Sequence, residues 1–124
     1  MPAVNNLGPR DFDAAVAGPD PVLVDFSASW CGPCRAMAPA LEKFAASRED
    51  LGVVKLDIDE APDIASRYSV RSVPTLMLFA GGKPVAAEAG MMSEGQLAQF
   101  VDPHLPARKP VEQDPSRPPV DLDW

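Results

Sequence analysis

The sequence predicts an α/β fold with a central mixed β-sheet of four to five strands, flanked by helices on both faces. Three observations carry that expectation. Near-continuous apolar runs, such as Pro21-Val22-Leu23-Val24-Asp25-Phe26, read as strands covered on both sides. Between them lie segments whose apolar residues recur at helical spacing. Late in the chain a Gly81-Gly82 pair joins two further runs as a hairpin would. With 124 residues the chain has room for one domain and a tail. A domain of roughly 100 residues buries enough apolar surface to fold without disulfide or metal staples.

Taken in order, Val4 to Leu7 reads as an edge strand. A short helix, Asp11 to Ala17, turns Phe12, Ala15 and Val16 to one side, and Gly18-Pro19-Asp20 ends it. The strand ending at Phe26 follows. A helix from Cys34 to about Arg48 carries a stripe of Met37, Leu41, Phe44 and Ala45, with Arg35 and Lys43 on the solvated face. Pro39 lies within it and is expected to kink it, since proline lacks an amide hydrogen and crowds the preceding turn. Val53 to Ile58 is the next strand. A short helix with Pro62 in its first turn directs Ile64, Ala65 and Tyr68 inward. Thr75 to Phe79 and Val85 to Ala89 form the hairpin. Ser93 and Gln96 make a capping-box pattern for a last helix, with Leu97, Phe100 and Val101 facing the core and Pro103 ending or bending it.

From Pro106 the composition changes: prolines fall among charged residues, with few apolar side chains to bury. Residues 1–105 are therefore expected to form the domain and 106–124 a proline-rich, disordered tail. A partner-binding or self-docking role for Val120 to Trp124 is the competing view of that tail.

A net charge of −7 without basic runs argues against a nucleic-acid binder. Met1 to Arg10 lacks the basic start and apolar stretch of a signal peptide. No run reaches the length of a membrane span. The expectation is a soluble, cytoplasmic monomer in a compartment that keeps thiols reduced.

The two cysteines, Cys31 and Cys34, sit three positions apart. Closing so small a loop stabilises a fold by only about 2 kcal/mol in the chain-entropy picture. The pair is thus a weak staple and a better chemical site. At a strand-to-helix junction, Cys31 meets unpaired N–H groups and the helix dipole, both of which favour a thiolate. The thiolate attacks a disulfide sulfur. Cys34, one turn on, is placed to resolve the resulting mixed disulfide. Zinc would require further ligands, and His104 is the remaining soft one; no metal or other cofactor is expected. An inert buried pair is the other alternative, set against Gly32-Pro33, which suits a tight turn better than packing.

Asp25 stands in an apolar strand, where an ionised carboxylate is costly, so its pKa should be raised. A strand-end aspartate turned to solvent is the bland alternative. Trp30 is either a core aromatic or an apolar contact surface that shields the thiolate. Gly90, Met91 and Met92 either line a docking surface with Pro33 or form a plain loop before the last helix.

The run from Val24 to Arg35, containing Trp30-Cys31-Gly32-Pro33-Cys34, resembles the active-site stretch of the thioredoxin family, for which this motif is the standard example. The likeness continues through Val53–Asp59, Val70–Leu76 with Val73-Pro74-Thr75, and Phe79–Lys83, over approximately residues 4 to 105. It implies a thioredoxin fold and a protein-disulfide reductase that cycles between dithiol and disulfide. Electrons would come from a thioredoxin-reductase-type flavoenzyme and go to protein disulfides. It further implies a cis peptide before Pro74, with the Val73 backbone free to pair with an extended target; residues alone allow a trans proline at a strand start. Behind the inner cysteine, Asp25 would exchange its proton and Lys55 would moderate its charge. Ser27 departs from the tryptophan of many bacterial members, which bears on the choice of partner. Two rivals remain at this point: an oxidant or isomerase on the same fold, marked by a potential near −120 to −180 mV, and a binding subunit in which the cysteines are incidental.

Overall fold

The computed structural model describes residues 3–105; the expected tail lies outside the described residues. Five strands form one sheet in the order β1-β3-β2-β4-β5. In chain order they are β1 (Asn5–Leu7), β2 (Val22–Ser27), β3 (Gly52–Asp57), β4 (Thr75–Ala80) and β5 (Lys83–Ala89). The helices are α1 (Phe12–Ala17), α2 (Gly32–Ala46), α3 (Pro62–Arg67) and α4 (Glu94–Val101). β1, β3 and β2 run parallel, whereas β4 is antiparallel to β2 and β5 to β4. The sheet is mixed because a two-residue turn can join β4 and β5 only as antiparallel neighbours. Gly81 and Gly82 adopt φ of 61° and 83°, the left-handed pair that such a turn requires.

Side chains alternate across β2 and so divide the core in two. Leu23 packs with Met37, Leu41 and Phe44 of α2 and Leu97 and Val101 of α4. Val24 and Phe26 point the other way, to Phe12 and Val16 of α1 and Ile64 of α3. On that second side Phe12, Tyr68 and Phe79 meet edge-on or tilted, with centroids 5.3–5.8 Å apart. Full burial of each such side chain stabilises by about 1.5–3 kcal/mol, which accounts for why these positions are apolar.

Several boundaries differ from the sequence expectation. α2 begins at Gly32 rather than Cys34, because Cys31 itself is the N-cap. Pro39 does not interrupt it: the helix is continuous to Ala46, and the proline lies on the exposed side, where the carbonyl that loses its amide partner can meet solvent. Tyr68 caps α3 rather than belonging to it. Phe100 is half-buried at the edge of the α2–α4 core. After Val101 the chain tightens into a 3₁₀ turn, Asp102–His104, as Pro103 would impose. The Ser93–Gln96 capping box is present in both of its hydrogen bonds.

Candidate active site

The parallel strand β2 ends at Ser27 and the chain turns sharply into α2. Cys31 N–H donates to the Ala28 carbonyl (3.1 Å), and Arg35 N–H donates to the Cys31 carbonyl (3.3 Å). The exposed Arg35 guanidinium also donates to the Ser29 carbonyl at 2.7 Å, so it closes the loop as well as facing solvent. Pro33 sits in the first turn of α2, where its missing N–H leaves nothing unsatisfied.

Cys31 and Cys34 are joined as a disulfide, with their Cα atoms 5.3 Å apart. Each residue is only 2% exposed, so exposure does not distinguish them. Their surroundings do. The Cys34 N–H donates to Cys31 Sγ at 3.1 Å, a bond that strengthens if that sulfur carries negative charge. Cys34 instead lines a cavity of about 540 Å³, together with Ser27, Arg35, Lys55, Asp57 and Glu60.

Asp25 is completely buried. It occupies the same face of β2 as Leu23 and Ser27, and it pairs directly across from Lys55 on β3. The face turned to α2 is thus apolar beneath the middle of the helix and polar beneath its first turn. Neither carboxylate oxygen of Asp25 has a hydrogen-bond partner among the described residues. Burial pushes its pKa up to about 6, with the Lys55 charge pulling the other way.

Around the disulfide loop and the Gly90–Met92 segment, Trp30 is 64% exposed and Met91 51% exposed. Trp30 is therefore no core aromatic; its indole N–H donates to Asp59 at 2.8 Å. The Val73–Pro74 peptide is cis. Val73 packs against the two cysteines with Ile58, and its backbone makes no hydrogen bond among the described residues. Gly90 N–H donates to the Pro74 carbonyl (2.9 Å), and Met92 N–H donates to Met37 Sδ (3.4 Å). These two bonds hold the Gly90–Met92 segment beside Pro74 on one flank and α2 on the other. Gly32, Pro33 and Gly90 are exposed.

Asp59 was not visible as a site residue in the sequence. Its signal is the Asp57-x-Asp59 pattern at the end of β3, in which Asp57 Oδ1 accepts from Asp59 N–H at 2.8 Å, a local turn that aspartate favours.

The family profile of thioredoxin matches residues 3–103. The chain belongs to the thioredoxin family. It is 48% identical over 102 residues to a thioredoxin of Alicyclobacillus acidocaldarius, covering 81% of this chain and 97% of that one. It is 43% identical over 104 residues to a Staphylococcus aureus thioredoxin, covering 83% and 99% respectively. Among solved structures, a mutant thioredoxin from Halobacterium salinarum superposes with a TM-score of 0.77 at 36% identity, over 88% of this chain and 97% of that chain. As a thioredoxin, the protein is a thiol–disulfide oxidoreductase whose redox centre is the Cys31–Cys34 pair, and it acts as a disulfide reductase. No helix among the described residues is long and apolar enough to cross a membrane.

Proposed function

We propose that this thioredoxin carries electrons from a thioredoxin-reductase-type flavoenzyme to protein disulfides, with Cys31 as nucleophile and Cys34 as resolving thiol. The observation that carries the division of labour is the hydrogen bond from Cys34 N–H to Cys31 Sγ. Together with the helix N-terminus it stabilises negative charge on the first sulfur.

In the reduced protein the Cys31 thiolate attacks one sulfur of the target disulfide. The target's sulfur–sulfur bond breaks, one target thiolate leaves, and a mixed disulfide forms. Cys34 then loses its proton to Asp25, directly or through water, and its sulfur attacks Cys31 Sγ. The second target thiolate departs and the Cys31–Cys34 disulfide remains. Two electrons have passed to the target, whose two thiolates take up protons. A base with a pKa near 6 suits this step, because it is ionised at neutral pH yet still basic enough to accept the proton. Lys55, opposite Asp25, moderates the carboxylate charge.

Target docking is assigned to Trp30, Gly32, Pro33, Val73, Pro74, Gly90 and Met91. The support is geometric: Trp30, Gly32, Pro33, Gly90 and Met91 are exposed, Val73 is half-buried against the cluster that holds the disulfide, and Pro74, next in the chain, is buried. The Val73 backbone is free to pair with an extended segment, as in strand addition. Lack of basic runs leaves no case for nucleic acid. The protein is taken to work as a monomer in the cytoplasm, where the thiol pool keeps such a pair cycling. Residues 1–105 constitute the working domain in this account, with the tail an appendage.

Mixing the disulfide form with a reduced thioredoxin-reductase-type flavoenzyme tests the electron source. Reoxidation of the flavin, followed by transfer to insulin disulfides, is the expected result. Electron uptake only from a small dithiol would remove the flavoenzyme from the account.

A further inference from the structure

Met91 stands apart from the other methionines of the described residues. Met37, Met77 and Met92 are 1%, 4% and 6% exposed, whereas Met91 is 51% exposed. Met37 Sδ is moreover occupied by the N–H of Met92. The Met91 side chain is not on a free loop, since the residue before it is bonded to Pro74 and the residue after it to Met37. The Met91 backbone is therefore held between Pro74, which follows Val73 of the cysteine cluster, and α2, while its side chain borders a shallow cavity with Glu88, Gln96 and Phe100.

We propose that Met91 is a site of reversible oxidation by hydroperoxides, and that its sulfoxide weakens docking of protein targets without altering the disulfide. This rests on the docking role assigned above. In the reaction the thioether sulfur attacks one oxygen of hydrogen peroxide, the oxygen–oxygen bond breaks, and water leaves. Sulfur is oxidised by two electrons and peroxide is reduced. The product is polar and chiral where the parent was apolar and adaptable. Where a target would cover this position, the sulfoxide oxygen loses solvent without a matched donor, an unfavourable exchange. Protein targets then bind less well, while small disulfides, which need no such surface, react as before. Restoration falls to the methionine sulfoxide reductases.

The test treats the full-length protein in its disulfide form with limiting hydrogen peroxide, so that the cysteines are protected. Peptide fragmentation then assigns the added oxygen. After removal of peroxide, insulin reduction and reduction of a small aromatic disulfide are measured. Met91→Leu is treated in parallel, and each protein is referred to its own untreated activity. The expected result is oxygen on Met91 ahead of Met37, Met77 and Met92. It is accompanied by a roughly tenfold fall in kcat/KM for insulin, carried by KM, with no change for the small disulfide and no fall in Met91→Leu. Oxygen entering a buried methionine first overturns the assignment of the site. Oxidation of Met91 with unchanged insulin kinetics overturns the effect on docking. An equal fall in Met91→Leu places the damage elsewhere. The untreated protein's own insulin turnover tests the reductase reading separately.

Discussion

Asp25 and Lys55 face each other in register across the parallel β2–β3 pair, beneath the first turn of the helix that carries both cysteines. The carboxylate is sealed from solvent and has no hydrogen-bond partner among the described residues. Its charge is thus held by one cation on the next strand and otherwise opposed by burial. A carboxylate so placed weakens the fold when it is ionised, a cost that the proposed proton transfer to Asp25 would explain.

The first prediction concerns that cost. The folded pKa of Asp25 is raised from 3.8 to about 6, so between those values the folded state holds a proton that the unfolded state has released. Stability should therefore fall as pH rises through this window, and the loss is complete above about 6. The gap corresponds to about 3 kcal/mol. Asp25→Asn should be more stable than the parent by about that amount at pH 7, with the advantage gone below pH 4. Urea unfolding across pH measures it, and equal midpoints at pH 7 would contradict the burial argument. The same substitution should slow release of the mixed disulfide.

A second prediction follows from the opposing charge. Lys55→Met removes the influence that lowers the Asp25 pKa, so the carboxyl should titrate at higher pH. In the proposed mechanism ionised Asp25 takes the Cys34 proton, so the rate profile of mixed-disulfide resolution should move to higher pH in the variant. A single-turnover pH series reads this directly. An unmoved profile would detach Lys55 from the proton transfer.

Removal of one sulfur at a time separates the two cysteines. Cys34→Ser should still attack but fail to release, accumulating a mixed disulfide with an insulin chain that dithiothreitol dissolves. Cys31→Ser should form none. Intact-mass measurement distinguishes the two, and adducts forming equally on both variants would mean that the sulfurs share the attacking role.

Gly90 supplies a backbone prediction. Its φ of 110° lies where side chains are strained, although a Cβ there would meet no atom within 4 Å. Gly90→Ala should thus destabilise through the backbone alone, by about 1–3 kcal/mol, with the slope of urea unfolding unchanged. It should also disturb the bond to the Pro74 carbonyl and raise KM for protein targets.

The parts legible in the sequence were those governed by local pattern. Apolar runs placed β2, β3 and β4, the Gly81-Gly82 pair placed the hairpin, and Ser93 with Gln96 placed the start of α4. The cysteine pair marked the redox centre, and the apolar flanks of Asp25 announced its burial and raised pKa. Less legible were features made by distant contacts. Glu42 accepts from Ala3 and Val4 N–H groups across 39 and 38 positions of sequence, tying the chain start to α2, and no local signal announces it. Trp30 reaches Asp59 across 29 positions. The start of α2 was displaced by two residues because a cysteine sulfur does the capping that serine or aspartate ordinarily does. Pro39 looked disruptive because its cost depends on whether the orphaned carbonyl is buried, which sequence does not state.

Reduction of insulin disulfides with dithiothreitol as electron source tests the central claim most directly, comparing the intact protein with Cys31→Ser. The account predicts strong acceleration by the intact protein and none by the variant. Equal rates with both proteins, or no acceleration by either, would contradict a dithiol mechanism at Cys31 and Cys34.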